Sequence, residues 1–187
     1  MATLYRWPAG EQSSVAGAAV TAAALTAGTP DPPPVIPGSV LQDGAHVFLR
    51  ATIEVTSTSA TPTLVAGFYA GAVGGAIGSA AVLAVTAALA INVAATAWAL
   101  HLAYDGTIRT LSKSVGVING FGISHSWINV GITGTPVIGI MPQTAALRTV
   151  STLNTRDAMQ LDVGLTLSSV TGAPSVVVTN FWGEVTG

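Results

Sequence analysis

Residues 46–56, His-Val-Phe-Leu-Arg-Ala-Thr-Ile-Glu-Val-Thr, decide the fold. Val47, Leu49, Ala51, Ile53 and Val55 point one way, while His46, Phe48, Arg50, Thr52, Glu54 and Thr56 point the other. This period of two is that of an antiparallel strand with one face buried, and the β-branched content argues against a helix. The same alternation returns around Trp98, Leu100, Leu102 and Tyr104, and again around Met159, Leu161, Val163 and Leu165.

Outward from this strand, the fifty residues between Glu54 and Asp105 carry no Asp, Glu, Lys or Arg. Leu64, Ala66, Phe68 and Ala70 form a second strand after a turn at 58–63, and Gly71, Gly74 and Gly75 end it. Residues 80–90 are alanine-rich enough for helix. Asp105-Gly106 predicts a hairpin with a return strand over 107–117. Residues 119–135, rich in Gly and Asn, predict a long loop carrying Trp127. Thr171-Gly172-Ala173-Pro174 predicts a last turn before a closing strand over 175–185. Seven or eight strands without a βαβ unit define an all-β antiparallel sandwich over residues 45–187.

Residues 1–44 differ in composition. An alanine-rich piece (15–27) precedes Thr29-Pro30-Asp31-Pro32-Pro33-Pro34 and Pro37-Gly38. Successive prolines enforce an extended path without amide donors, so the segment reads as an extended Ala/Pro-rich N-terminal arm outside the sheets. Such an arm lies on a neighbouring subunit or folds back on its own domain, and the first is the expectation. Its opening residues lack the basic-then-apolar pattern of a secretory signal.

Composition narrows the function classes. Charged residues are 7% of the 187 and apolar residues 50%, with only 6% aromatic. Average soluble domains are roughly 25% charged. So uncharged a chain points to a subunit whose surface neighbours cover. The net charge of -2 offers no basic stripe for nucleic acid. The chain has no cysteine, which excludes disulfide and thiolate chemistry. Residues 76–103 are long enough to span a bilayer, and Gly71 and Gly75, then Gly74 and Gly78, have the four-residue spacing of packed membrane helices, but no Lys/Arg cluster flanks the stretch. No membrane association is therefore expected.

No catalytic constellation emerges. His46, His101 and His125 are too far apart in sequence to suggest metal ligands, and Ser124-His125-Ser126 would place adjacent side chains on opposite faces. No nucleophile elbow or phosphate loop occurs. Asp157 and Asp162 are a weak carboxylate pair. The expectation is no catalytic residue, no cofactor and no metal. The aromatics Trp7, Trp127 and Phe181-Trp182 are more informative. Adjacent aromatics on a strand face opposite sides, so one of Phe181 and Trp182 leaves its own core. Inter-subunit contacts are expected at Tyr5, Trp7, Pro32, Pro33, Pro34, Trp127 and Trp182.

The strand sequence VFLRATIEVTST (47–58), TPTLVAGFYAG (61–71), ATAWALHLAYDGTIRTL (95–111) and NTRDAMQLDVGLTLSSVTGAPSVVVTNFWGEV (154–185) resembles small structural proteins of tailed bacteriophages. The resemblance covers about residues 46–185; the arm and residues 120–141 match less well. It implies a jelly-roll-like β-sandwich in the virion, with no catalytic residues to carry over. The expected function is capsid decoration, a homotrimer on the major capsid protein lattice. The alternatives are a tail-associated or receptor-binding module presenting loops such as 120–136 to a host glycan, and a membrane-inserted lysis-type protein.

Overall fold

The computed structural model describes residues 3–7, 14–16, 23–24, 34–56, 63–91, 98–128, 135–141, 149–169 and 174–187. Four short strands come first: β1 (Thr3–Trp7), β2 (Ser14–Ala16), β3 (Ala23–Ala24) and β4 (Val35–Ile36). The long strands β5 (His46–Thr56) and β6 (Thr63–Ala72) follow, then β7 (Ala81–Val85) and β8 (Leu89–Ala90). The rest are β9 (Trp98–Thr110), β10 (Gly116–Ile128), β11 (Thr135–Met141), β12 (Thr149–Leu153), β13 (Met159–Leu167) and β14 (Ser175–Thr186). Among the described residues the only helical turns are two 3-10 turns, Gly38–Val40 and Ile77–Ser79.

All the pairings are antiparallel, and they build two sheets packed against each other. The larger runs β1-β14-β5-β9-β10-β11, with β12 also on β10 and β2 also on β14. The smaller runs β3-β13-β6-β7, with β4 also on β13 and β8 also on β6. The protein is therefore an all-β antiparallel sandwich. One continuous core lies between the sheets. The inward residues Val47, Leu49, Ile53 and Val55 of β5 meet Leu64, Ala66 and Phe68 of β6 and Leu161, Val163 and Leu165 of β13. Phe68 stacks on Phe181 of β14 and tilts against Tyr104 of β9, at 6.1 and 6.4 Å between ring centroids.

Four expectations change. The segment 1–44 does not stay outside the sheets, because its described pieces pair with β13 and β14 of the same chain. Without them β13 and β14 would each leave a long row of backbone groups unpaired at an edge. The Pro34 carbonyl accepts from the Leu161 amide at 2.9 Å, so the end of the proline run already serves this edge. The second change is at Asp105-Gly106, which is not a turn. β9 runs straight through it, paired with β5 on one side and β10 on the other. Gly106 and Gly120, opposite each other, lie under the Tyr104 ring, where a Cβ on either would meet the hydroxyl end. The glycine there serves the packing of an aromatic side chain. Third, residues 116–128 and 135–141 pair as β10 and β11, in place of the long loop that Gly and Asn content predicts. In the alanine-rich stretch 80–90, the described strands β7 and β8 replace the possible helix.

The two outer faces differ. On the smaller sheet, Tyr69, Asp162 and Gly164 are buried although they point away from the core. Ile77, in the connection between β6 and β7, reaches Gly164 so closely that a Cβ there would meet its Cδ1. Gln160 ties this cover down: its Oε1 accepts from the Gly74 amide and its Nε2 donates to Asp162, both at 2.8 Å. The larger sheet has no such cover among the described residues.

Candidate functional site

The outward residues of β14, β5, β9 and β10 stand in register and form an array. One row reads Glu184, Phe48, Asp105, Phe121; the next reads Trp182, Arg50, Ala103, Ile123; the third reads Asn180, Thr52, His101, His125. A β-bulge between Val178 and Asn180 sets the register of the β14 members. It keeps Val178 and Phe181 both inward and turns Asn180 and Trp182 out.

Ala103 is the small member of the middle row, so the sheet dips along β9 between taller neighbours on β5 and β10. Two contiguous depressions of about 380 and 740 Å3 result, sharing Arg50, Ala103, Ile123 and Trp182. Their walls mix apolar side chains, Phe121 at 50% and Ile123 at 45% exposure, with Arg50, Asp105, Glu184 and the His101–His125 pair. The aromatic faces carry partners from their own chain. Arg50 lies over the Trp182 indole, its guanidinium carbon 5.9 Å from the ring centroid. His46 stacks on Phe48 at 5.9 Å, and its Nδ1 is 3.5 Å from Asp105. His101 stacks near His125 at 6.3 Å and shares a 3.1 Å hydrogen bond through Nδ1 with the Thr52 hydroxyl.

Tyr104, beneath this face, is buried, and its hydroxyl has no hydrogen-bond partner among the described residues. Desolvation, aided by the adjacent Asp105 carboxylate, pushes its pKa well above the ordinary tyrosine value of 10.0. Tyr69 is raised too, through burial alone.

The residues singled out from sequence fall in several places. Trp182 is half-buried on the open face, and Phe181 beside it is in the core. Tyr5 and Trp7 are on β1, whose backbone places them opposite Val185 and Gly183; their side chains lie outside the described part. Trp127 is opposite Pro136, again with only its backbone described. Pro34 is half-buried, and Pro32 and Pro33 lie outside the described residues. Two of the three histidines, distant in sequence, come together: His101 and His125 are direct cross-strand neighbours. Ser124 and His125 do take opposite faces, with Ser124 buried and donating to the Gly139 carbonyl at 3.4 Å. Phe121 and Ile123 escape the sequence reading because the composition around them is that of a loop. Their signal is nonetheless present in the alternation of Phe121, Ile123 and His125 with Gly122 and Ser124.

Among the described residues no three His, Asp or Glu side chains converge as a metal site, and no helix is long and apolar enough to cross a membrane. The fold and this face define an antiparallel β-sandwich with one broad sheet face that carries Arg50, Asp105 and Glu184 among aromatic and apolar side chains. Comparison with protein-family models, curated proteins and solved structures finds no match.

Proposed function

We propose that this chain is a non-enzymatic structural protein of a bacteriophage virion, a decoration subunit that braces the major capsid protein lattice as a homotrimer. The strand order carries the reading. With β1, β4, β5, β6, β7, β9, β13 and β14 as the eight principal strands, β1-β14-β5-β9 faces β4-β13-β6-β7. This order supports a jelly-roll reading, since two Greek keys give the same sequence of neighbours, with β10, β11 and β12 as an extension of one sheet. The 7% charge content supports the same reading, since a surface so poor in charge suits coverage by neighbours. Bracing then works through many weak apolar contacts, each Å2 removed from water contributing on the order of 25 cal/mol.

Quantitative mass spectrometry of purified particles tests this: a decoration subunit is present in many copies spread over the head. A count of only about three to six, the number a tail tip's symmetry admits, would transfer the chain to the tail. That second reading, a receptor-binding module, is favoured by the trough along β9. It predicts that the isolated protein binds host-surface polysaccharide.

A further inference from the structure

We propose that the first strands form a strap exchanged between copies, so that β1, β2 and β3 of one chain complete the β14 and β13 edges of a neighbour. The inference rests on the homo-oligomeric part of the function proposed above and says how the copies are joined. The first support is the strap's place. β1 and β2 lie along the edge of β14 away from β5, opposite residues 183–186 and 175–177. β3 and β4 lie along the edge of β13 away from β6, opposite residues 164–165 and 159–160. The strap is thus outermost in both sheets, and among the described residues no other strand pairs with it. It can leave one copy and settle on the next without any other strand moving. Every copy presents the same two edges, and exchange of an identical element is a low-cost route to an oligomer.

The second support is where the strap is fastened. β4 belongs to its own chain. Ile36 is fully buried in the core, the Leu161 amide donates to the Pro34 carbonyl at 2.9 Å, and a Cβ on Gly38 would run into the Arg156 carbonyl. β2 and β3 are only Ser-Val-Ala and Ala-Ala, small residues with little apolar area to bury. Their hold is main-chain pairing, which a neighbour's edge repeats. The division between the fixed and the exchanged part therefore falls between β3 and β4.

The third is the length of chain at that division. Ala24 is opposite Gly164 and Val35 opposite Gln160, so within one chain the connection covers four residues of β13, about 13 Å at about 3.3 Å each. Ten residues, 25–34, are supplied for it, and Pro30, Pro32, Pro33 and Pro34 are among them. At about 3.1 Å per residue, the extended rise that prolines favour, the path from Ala24 to Val35 reaches about 34 Å. A tether works best when its length matches its span, and this one is more than twice too long for its own chain. It suits the gap between two copies. Exchange in one rotational sense closes a ring, which agrees with a trimer.

The chain has no cysteine, so disulfide trapping tests the exchange cleanly. Arg6 is opposite Glu184 and Ser14 opposite Val177. The variants Arg6→Cys/Glu184→Cys and Ser14→Cys/Val177→Cys are oxidised beside Thr107→Cys/Asn119→Cys, a pair opposite each other in β9 and β10 that is bridged within one chain. Light scattering before oxidation gives the native mass. The expected result on a denaturing, non-reducing gel is multiples of 18.6 kDa for both strap pairs and 18.6 kDa alone for the β9–β10 pair. Strap pairs bridged within single chains, in a protein that light scattering finds oligomeric, would overturn the exchange and leave the oligomer standing. A wild type that stays monomeric at its solubility limit would overturn both, whatever the copy number in the virion. Thiols that stay free in both strap pairs, or Arg6→Cys alone linking as efficiently as the double variant, would also overturn the exchange.

Discussion

Phe68 of the smaller sheet and Phe181 of the larger stack across the sandwich, centroids 6.1 Å apart and planes 25° from parallel. Both are buried, at 0% and 2% exposure. With Tyr104, which also meets Phe68, they bridge the two sheets, so truncating either leaves a cavity in a close-packed interior. Phe181→Ala should lower unfolding free energy by about 3–5 kcal/mol, and Phe68→Ala by a similar amount. A double-mutant cycle should return about 0.5–1.5 kcal/mol of coupling beyond the area lost. The neighbouring Trp182→Ala points to the other face and should cost clearly less. Urea titrations at one fixed protein concentration measure all four. Equal losses for Trp182 and Phe181 would contradict the assignment of faces.

The buried Tyr104 hydroxyl makes the protein sensitive to alkali. In the unfolded chain it ionises near 10.0, whereas in the fold burial and Asp105 hold it neutral to higher pH. Above pH 10 the unfolded state therefore binds fewer protons than the folded one, and stability falls as pH rises. The tyrosine's contribution is fully present below pH 10 and is lost as the pH climbs towards its folded value. The slope approaches about 1.4 kcal/mol per pH unit for this one group, with Tyr69 adding in the same direction. Tyr104→Phe should flatten the slope between pH 10 and 11. At pH 7 it should leave stability unchanged or slightly higher, since the hydroxyl it removes has no partner among the described residues. Thermal melts across this pH range, wild type against variant, give the comparison.

The strands with one buried face are legible from sequence because their period of two survives in the side chains. β5, β9 and β13 each show that pattern. What misleads is local chemistry that a distant contact overrides. Asp105-Gly106 carries a turn signature, yet Gly106 is a floor for Tyr104 within a continuous strand. Proline content marks residues 1–44 as an arm, while the edges of β13 and β14 recruit short pieces of it as strands. Of the open face, Trp182 can be named from its neighbour Phe181. The rows that bring Arg50, Asp105 and the His101–His125 pair beside it are set by register between strands far apart in sequence, which no single-strand pattern encodes.

Gly164 is where the smaller sheet accepts its cover. A Cβ there would run into Ile77 Cδ1 and lie 2.7 Å from Tyr69 Cε2. Gly164→Ala should therefore push Ile77 off the sheet at a cost of about 1–3 kcal/mol, the usual range for overpacking. Hydrogen exchange should show the effect locally. The Gly75 amide, bonded to the Ala72 carbonyl at the end of β6, and the Ser79 and Ala80 amides, bonded to the Ala76 and Ile77 carbonyls, should lose protection while β5 and β9 keep theirs. Truncating Ile77 to alanine in the same chain should recover part of the loss by making room. A Gly164→Ala variant with unchanged exchange in this connection would show that the cover is not seated on Gly164.

Thr155 fastens the end of the β9–β10 hairpin to the start of β13. It is fully buried; its hydroxyl accepts from the Ser112 amide at 2.9 Å and donates to the Thr110 carbonyl at 2.9 Å. Its own amide donates to the Ser112 carbonyl at 2.8 Å. A side chain with the same shape but no oxygen keeps the packing and strands those two backbone groups. Thr155→Val should thus cost about 1–3 kcal/mol, the penalty of a part-buried polar group left unpaired. Thr155→Ser keeps the oxygen and gives up only a methyl, so it should stay within about 1 kcal/mol of wild type. Urea denaturation of the two variants separates the explanations. A serine variant as unstable as the valine one would mean that the methyl's packing, and not the hydroxyl, holds this corner.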